Sequence, residues 1–207
     1  MRNAKRFANS WASPDETLDT LEAQIRACRV CAEHLPLGPR PVFQASVTAR
    51  VLIASQAPGT KVHETGIPFN DASGDRLRGW LGIDRDLFYD AGRIAIVPMG
   101  FCYPGRYAKG GDLPPRPECA PLWRQRLLDR LPSIRLTLLV GSYAQIDALG
   151  PGAMTDRVSA YRDFLPHRFP LPHPSWRTTG WERQNPWFTQ EALPALRQAV
   201  RAALSEA

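Results

Sequence analysis

The four cysteines are the residues whose type and spacing point most directly to chemistry. They form one close pair, Cys28 and Cys31 in the motif CRVC, and one wide pair, Cys102 and Cys119, at the two ends of a proline-rich stretch. Four thiolates bind either zinc or a 4Fe-4S cluster, and their spacing does not separate these occupants. A redox-active CxxC pair and unrelated buried thiols are the alternatives. Because no cysteine is left over, we favour one metal or cluster site that uses all four.

A second candidate is the segment SQAPGTKVHETGIPF, residues 55–69, which follows the apolar run VLIA. Pro58 and Gly59 turn the backbone sharply, which leaves amide groups free to face a ligand. Gly66 and Pro68 then direct Phe69 back towards those amides. The pattern predicts a ligand-binding loop.

Short apolar runs predict the buried strands that would position this loop, at residues 49–55, 93–99 and 136–142. Helical patterns lie between and after them, at residues 75–82, 121–132, 142–149 and 191–207. This alternation predicts a parallel sheet that is covered on both faces. Ligands bind beyond the carboxyl ends of parallel strands, and the loop at 55–69 leaves from such an end.

The cysteine pairs are tied to this framework by their neighbours. Ser13 and Glu16 form a capping box that predicts a helix start, and the helix would place Cys28 near its end,. The stretch at 103–119 is too long for a simple connection, so it is either functional or held in place by the cysteines at its ends.

The composition is that of one soluble globular domain, with 207 residues of which 43% are hydrophobic and 22% charged,. We expect residues 1–12 to be loose and residues 13–207 to form the domain. The net charge of +6 is mostly due to arginine, which suits a polyanion as partner,. No apolar run reaches the length of a membrane span and the N-terminus lacks the apolar centre of a signal peptide, so we expect a cytoplasmic protein without membrane contact.

Two motifs resemble those of a known family. The segment at 55–69, followed by NDASGDRL, resembles the first motif of the uracil-DNA glycosylase superfamily, and LPHPSW at 171–176 resembles its second. The order of the cysteines is similar to the iron-sulfur (family four) branch, although the first motif diverges. The resemblance implies a single-domain three-layer α/β/α sandwich with a central four-stranded parallel sheet. It also implies a monofunctional DNA repair glycosylase that flips uracil out of DNA and hydrolyses its N-glycosidic bond, leaving an abasic site.

The resemblance assigns roles around the base. His173 is the hydrogen-bond donor that stabilises the departing uracil, and Phe69 is the aromatic side chain on which the flipped base stacks. Backbone amides around Gln56 and Ala57 address the edge of the uracil. The resemblance to the iron-sulfur branch implies that Cys28, Cys31, Cys102 and Cys119 hold a 4Fe-4S cluster, with zinc as the less favoured occupant.

The resemblance also assigns contacts with the DNA. Ser175 contacts a backbone phosphate, while Trp176 and Arg177 are candidates for the wedge that fills the vacated stack. The expected substrate is uracil-containing DNA, single- or double-stranded, and the expected oligomeric state is a monomer.

The sequence departs from the family where water is activated. One branch carries an aspartate at the position of Ala57 and the iron-sulfur branch a glutamate at the position of Gln56, and neither carboxylate is present here. We therefore predict that His63 or Glu64 positions the water, with Asp71 as a further option.

A second departure affects base recognition. Pro98 stands where many relatives place an asparagine that reads uracil, so recognition must rest on other groups, of which backbone groups near Met99 and Gly100 are candidates,. Relaxed specificity, for hypoxanthine or xanthine, is one alternative. Others are a DNA-damage-binding protein that kept the base pocket without catalysis, and a nucleotide-binding α/β protein with a zinc site. No glycine-rich phosphate-binding motif supports the last of these.

Overall fold

The computed structural model of the chain describes residues 16–205. The predicted loose segment at 1–12 and the predicted capping residue Ser13 lie outside this range. Four strands and nine α-helices are formed within it. The strands are β1 (Val51–Ala54), β2 (Ile94–Ile96), β3 (Leu136–Val140) and β4 (Arg168–Leu171).

The strands form one parallel sheet in the order β2-β1-β3-β4, which confirms the predicted α/β fold. In the register, Val51 of β1 lies beside Ile94 of β2 and Leu136 of β3. The first three strands are almost entirely buried, and this explains their continuous apolar runs,. The sequence of β4, RFPL, is not a continuous apolar run of this kind. It tolerates Pro170, which lacks a backbone N–H, because β4 lies at the edge of the sheet,.

The α-helices surround this sheet: α1 (Leu18–Ala27), α2 (Thr60–Thr65), α3 (Ala72–Leu81), α4 (Arg85–Tyr89), α5 (Gln125–Leu128), α6 (Ser142–Leu149), α7 (Met154–Ser159), α8 (Thr178–Gln184) and α9 (Leu193–Leu204). Short 3₁₀ segments occur at Ala32–His34 and Tyr161–Phe164, and π-helical turns precede α5 and α9 at Ala120–Arg124 and Phe188–Ala192.

Two helix starts differ from the sequence predictions. The first helix begins after Thr17, whose hydroxyl accepts the Thr20 N–H, and it ends at Cys28 as expected. The segment at 55–69 is not a continuous loop, because α2 forms inside it. Gly59 caps the start of α2, and Gly66, with φ of +72°, ends it in the left-handed conformation,.

The core lies on both faces of the sheet, because successive residues of a strand point to opposite sides. Val51 and Ile53 pack on the side that α3 and α9 cover, whereas Leu52 packs on the side that α1 and α5 cover. The predicted three-layer sandwich is therefore formed. In residues 16–205, no helix is long and apolar enough to cross a membrane.

One tight contact sets the entry into α3. Phe69 has φ of +53°, a conformation that costs a non-glycine residue energy,. Five residues later, a Cβ on Gly74 would lie 1.7 Å from the Phe69 carbonyl oxygen. Only glycine allows the chain to return so closely to Phe69.

We therefore predict that Gly74→Ala lowers the free energy of unfolding by at least about 2 kcal/mol, because the added methyl group has no space. Gly79→Ala in the same helix is the matched control. Nothing lies within 4 Å of a Cβ at Gly79, so that variant gains about 0.5–1 kcal/mol from helix propensity. Urea denaturation of both variants measures the difference. Equal stability of the two proteins would contradict the tight contact.

Candidate functional site

A cleft of about 450 Å³ opens at the carboxyl ends of the strands. Its volume is within the range of about 300–1,000 Å³ that is typical of small-molecule sites. Most of its walls come from four segments: residues 55–59 after β1, residues 68–73 at the start of α3, residues 106–112 of the proline-rich stretch, and residues 173–177 after β4. The position agrees with the general location of ligands in open parallel sheets.

Phe69 forms one wall of the cleft and is itself firmly held. Its ring packs edge-on against Phe88, with the ring centroids 6.1 Å apart. The preceding carbonyl, of Pro68, accepts the hydroxyl hydrogen of Tyr89 at 3.0 Å. The buried guanidinium of Arg78 lies 5.1 Å from the centre of the Phe88 ring. A flat aromatic surface is therefore fixed at the cleft in a strained backbone conformation.

His173 lies two residues after β4 and is half-buried in the same cleft. Gly141, directly after β3, has φ of +83°, a conformation that favours glycine, and a Cβ there would be in ordinary contact with the Cβ of His173 at 3.6 Å,. The Thr178 hydroxyl donates to the His173 carbonyl and fixes the loop. Burial lowers the pKa of His173 below its usual value, while the charges of Asp71 and Asp112 partly offset this. A neutral ring keeps one N–H that can donate to a ligand.

Two carboxylates line the cleft with His173. Asp71 caps α3, and its Oδ1 accepts the Gly74 N–H at 2.9 Å. Asp112 belongs to a small hairpin, residues 105–113, which we call the cleft hairpin. Its Oδ1 lies 3.6 Å from Nε of Arg106 on the opposite side of the hairpin. The side chain of Asp112 stays about half exposed.

The cleft hairpin is connected to both neighbouring segments of the cleft. Nε2 of Gln56 donates to the Leu113 carbonyl at 3.1 Å. A Cβ on Gly111 would lie 3.0 Å from Nη1 of Arg177, so glycine allows the arginine to lie against the turn. Tyr107 at the tip is 55% exposed although it lines the cleft. The hairpin thus forms one side of the cleft.

The four cysteines line a second cavity, with apolar neighbours that include Ile25, Leu35 and Phe101. Two sulfurs accept hydrogen bonds at 3.3 Å: Cys28 from the indole N–H of Trp123, and Cys119 from the Phe101 amide. Such N–H donors are typical of thiolates that hold a metal or cluster.

Three of these thiols, those of Cys31, Cys102 and Cys119, have a raised pKa because they are buried. Burial raises the pKa of Cys102 to about 11 and that of Cys119 to about 12. Across residues 16–205, no group of three or more His, Cys, Asp or Glu side chains is arranged so that it could hold a metal ion. The four residue types and their shared cavity are those of a four-thiolate site, but the side chains of the described residues are not arranged as one.

Comparison with known proteins identifies the family. Residues 42–197, more than half of the chain, match the model of the uracil DNA glycosylase superfamily. The chain belongs to this superfamily. Among solved structures, it is similar to a candidate uracil DNA glycosylase from Methanosarcina acetivorans that was determined by solution NMR. The identity is 17%, the TM-score is 0.41, and the match covers 77% of this chain and 98% of that chain. The match is to the superfamily as a whole, so the iron-sulfur branch stays a prediction.

Within this superfamily framework, the structure brings seven of the predicted site residues together. They line the cleft from three of its sides: Gln56, Ala57, Phe69, His173, Ser175, Trp176 and Arg177. Trp176 is 78% exposed at the mouth of the cleft, with the Arg177 guanidinium 5.6 Å from its ring centre. The Ser175 carbonyl accepts a hydrogen bond from Arg76 at 2.9 Å.

Four residues that were predicted around the base do not line the cleft: His63, Glu64, Met99 and Gly100. His63 is buried on α2 beside Tyr103, and its Nδ1 has no hydrogen-bond partner among the described residues. Glu64 is exposed to solvent, and its backbone carbonyl accepts a hydrogen bond from the Arg40 side chain at 2.9 Å. Neither lines the cleft. This geometry therefore does not support the predicted choice of His63 or Glu64 for positioning water.

The backbone amides of Met99 and Gly100 are also committed elsewhere. The Met99 N–H donates to the Ser55 carbonyl at 2.8 Å, and the Gly100 N–H donates to the Gln56 carbonyl at 3.0 Å. They hold the segment after β1 in place, so these two donors are not free to read a base.

The cleft hairpin was not predicted from the sequence. Its signal was the glycine pair Gly110 and Gly111 followed by Asp112, a composition that favours a tight antiparallel turn,. The long proline-rich stretch around it concealed this local pattern.

The lowered pKa of His173 is open to measurement. We predict that its imidazole titrates below about pH 6.5, the usual value,. The unfolded chain then binds this proton more tightly, so His173 lowers the free energy of unfolding as the pH falls from about 6.5 to the native pKa. NMR titration of the ring protons, assigned with His173→Gln, measures the midpoint. A midpoint at or above 6.5 would contradict the desolvated environment.

Proposed function

We propose that this superfamily member is a monofunctional DNA glycosylase that flips uracil out of DNA and hydrolyses its N-glycosidic bond, leaving an abasic site. The observation that carries the proposal is that Phe69 and His173 line the same cleft at the carboxyl edge of the sheet. One supplies an apolar surface for a flat base, and the other supplies a donor for the charge that develops on it.

The chemistry follows from the charges of the reaction. Cleavage leaves negative charge on the departing uracil and positive charge on the sugar. A neutral His173 donates its N–H to the uracil oxygen, which stabilises the leaving group without a prior proton transfer. Phe69 stacks on the base, a contact worth about 1–3 kcal/mol.

The lysines support hydrolysis by water rather than lyase chemistry. Lys61 and Lys109 are both exposed, and neither lines the cleft. A Schiff base with the sugar needs an amine at the reacting carbon. We therefore infer that the product is a free base and an intact abasic strand.

The mouth of the cleft suits a nucleic acid strand. Arg106 and Arg177 lie along it, and the chain carries a net charge of +6. Their guanidinium groups match phosphate oxygens. The exposed indole of Trp176 is the best candidate for the wedge that replaces the extruded base, and Ser175 for a phosphate contact.

Relaxed base specificity is a second candidate function, and one observation favours it. Pro98 lines the cleft without any donor, and the amides of Met99 and Gly100 are already engaged. Few groups remain to reject other deaminated bases, such as hypoxanthine and xanthine. A panel of oligonucleotides with these bases tests it, and release of uracil alone would contradict it.

We also propose that the cysteine cavity holds a 4Fe-4S cluster, with Cys28, Cys31, Cys102 and Cys119 as ligands. The shared apolar cavity and the two N–H donors to sulfur support this assignment. Bound there, the cluster would join the end of α1 to the proline-rich stretch.

For the glycosylase, we predict that wild-type protein releases free uracil from uracil-containing DNA and that His173→Ala reduces single-turnover release by about 100- to 1,000-fold. This corresponds to the loss of one donor to a developing charge, about 2.7–4 kcal/mol. His63→Ala and Glu64→Ala remain within about threefold of wild type, because neither residue lines the cleft. Retention of full activity by His173→Ala would overturn the assignment of the donor. DNA binding without release by the folded wild type would favour a damage-binding protein.

For the cluster, we predict about four iron atoms per chain and an absorbance band near 400 nm after anaerobic purification. Cys102→Ser should lose both, because one ligand of a four-thiolate site is removed. Zinc in place of iron, or no metal in the wild type, would contradict the assignment.

A further inference from the structure

We propose that Asp112 of the cleft hairpin is the catalytic carboxylate that positions and deprotonates the hydrolytic water. The inference rests on the proposed glycosylase function and extends it to a residue outside the two family motifs. It addresses the absence of a carboxylate at Gln56 and Ala57, where the family branches carry one.

Asp112 is well placed for this role. It lines the cleft that contains Phe69 and His173. Its Oδ2 lies 3.7 Å from the position of a Cβ on Gly59, so the carboxylate approaches the segment after β1 from the opposite wall. The family's missing carboxylates belong to that same segment. Asp112 thus supplies a carboxylate to the cleft from a different part of the chain.

The two carboxylates that line the cleft differ in what holds them. Asp71 uses Oδ1 to cap α3 through the Gly74 N–H. Asp112 has only the ion pair between its Oδ1 and Arg106, at 3.6 Å, and no hydrogen bond in the described residues reaches its Oδ2. Its half-exposed carboxylate is accessible to water, which a general base requires,.

The charge of Asp112 also bears on DNA binding. A DNA strand repels a half-exposed carboxylate in the cleft, so removal of this charge should not weaken binding,. Its charge also acts on His173 from across the cleft. The base donor and the carboxylate therefore face the same volume.

The proposed step balances as follows. The bond between C1′ of the sugar and the base nitrogen breaks, and its electron pair leaves with the base, where the His173 N–H stabilises it. The water oxygen forms a new bond to C1′. One proton of that water passes to the carboxylate of Asp112, which later returns it to the departed base or to solvent.

The test separates catalysis from binding. Asp112→Asn should reduce single-turnover release of uracil by about 100-fold or more, as is typical for loss of a general base. The dissociation constant for DNA with non-cleavable 2′-fluoro-deoxyuridine should stay unchanged or decrease, because a negative charge is removed. Asp112→Glu, which keeps the carboxylate, should recover part of the rate. Asp86→Asn, which removes an exposed charge on α4, should change neither quantity.

Two further measurements exclude a merely structural effect. Thermal unfolding of Asp112→Asn should match that of wild type, whereas Asp71→Ala should unfold at a lower temperature because α3 loses the side chain that caps it,. The NMR titration midpoint of His173 should fall in Asp112→Asn, since a neighbouring negative charge is lost.

The outcomes are distinguishable. Release by Asp112→Asn within threefold of wild type, or an unchanged His173 midpoint, would overturn the role of Asp112 while leaving the glycosylase function intact. Parallel loss of cleavage and DNA binding would also overturn it, because the residue would then only shape the cleft. No uracil release by folded wild-type protein would overturn both proposals, since no water would need to be activated.

Discussion

The parallel direction of the four strands is the constraint on which the site depends. Because all strands end at the same edge of the sheet, the segments after β1 and β4 meet there although more than 100 residues separate them. Burial of the strands on both faces fixes that edge. The cleft then forms if the segment that follows each strand turns towards the same place at this edge. Gly141, with φ of +83°, and Gly74, which lets the chain return to Phe69, supply two of these turns.

The cleft and the cysteine cavity share a wall, the segment after β2. The Gly100 N–H donates to the Gln56 carbonyl at the cleft, while Gly100 itself lines the cysteine cavity. Arg40 makes a second connection. Its backbone bonds to the sulfur of Cys102, and its side chain donates to the Glu64 carbonyl at the end of α2. Hydrogen bonds therefore connect the residues around the cysteines to the segment after β1 and to the end of α2.

The sequence predicted those elements that a pattern within one short stretch of residues indicates. The apolar runs at 49–55 and 136–142 contain β1 and β3, and the resemblance placed Phe69 and His173 in the segments that meet at the cleft. The failures have physical reasons. Helix α2 was hidden by the glycines on either side of it, although Gly59 and Gly66 are its two caps. The cleft hairpin was missed because the proline-rich stretch around it concealed its glycine pair, and because its contact with the segment after β1 leaves no trace in local spacing.

The central claim is that the cleft takes a base that has left the DNA helix. The most direct measurement is a crystal structure of the protein with duplex DNA that contains one 2′-fluoro-deoxyuridine, which resists cleavage. The account predicts the uracil ring outside the duplex, against Phe69 and within hydrogen-bonding distance of His173, with Trp176 at the vacated position. A uracil that remains paired and stacked in the duplex, with the DNA bound away from the cleft, would contradict it.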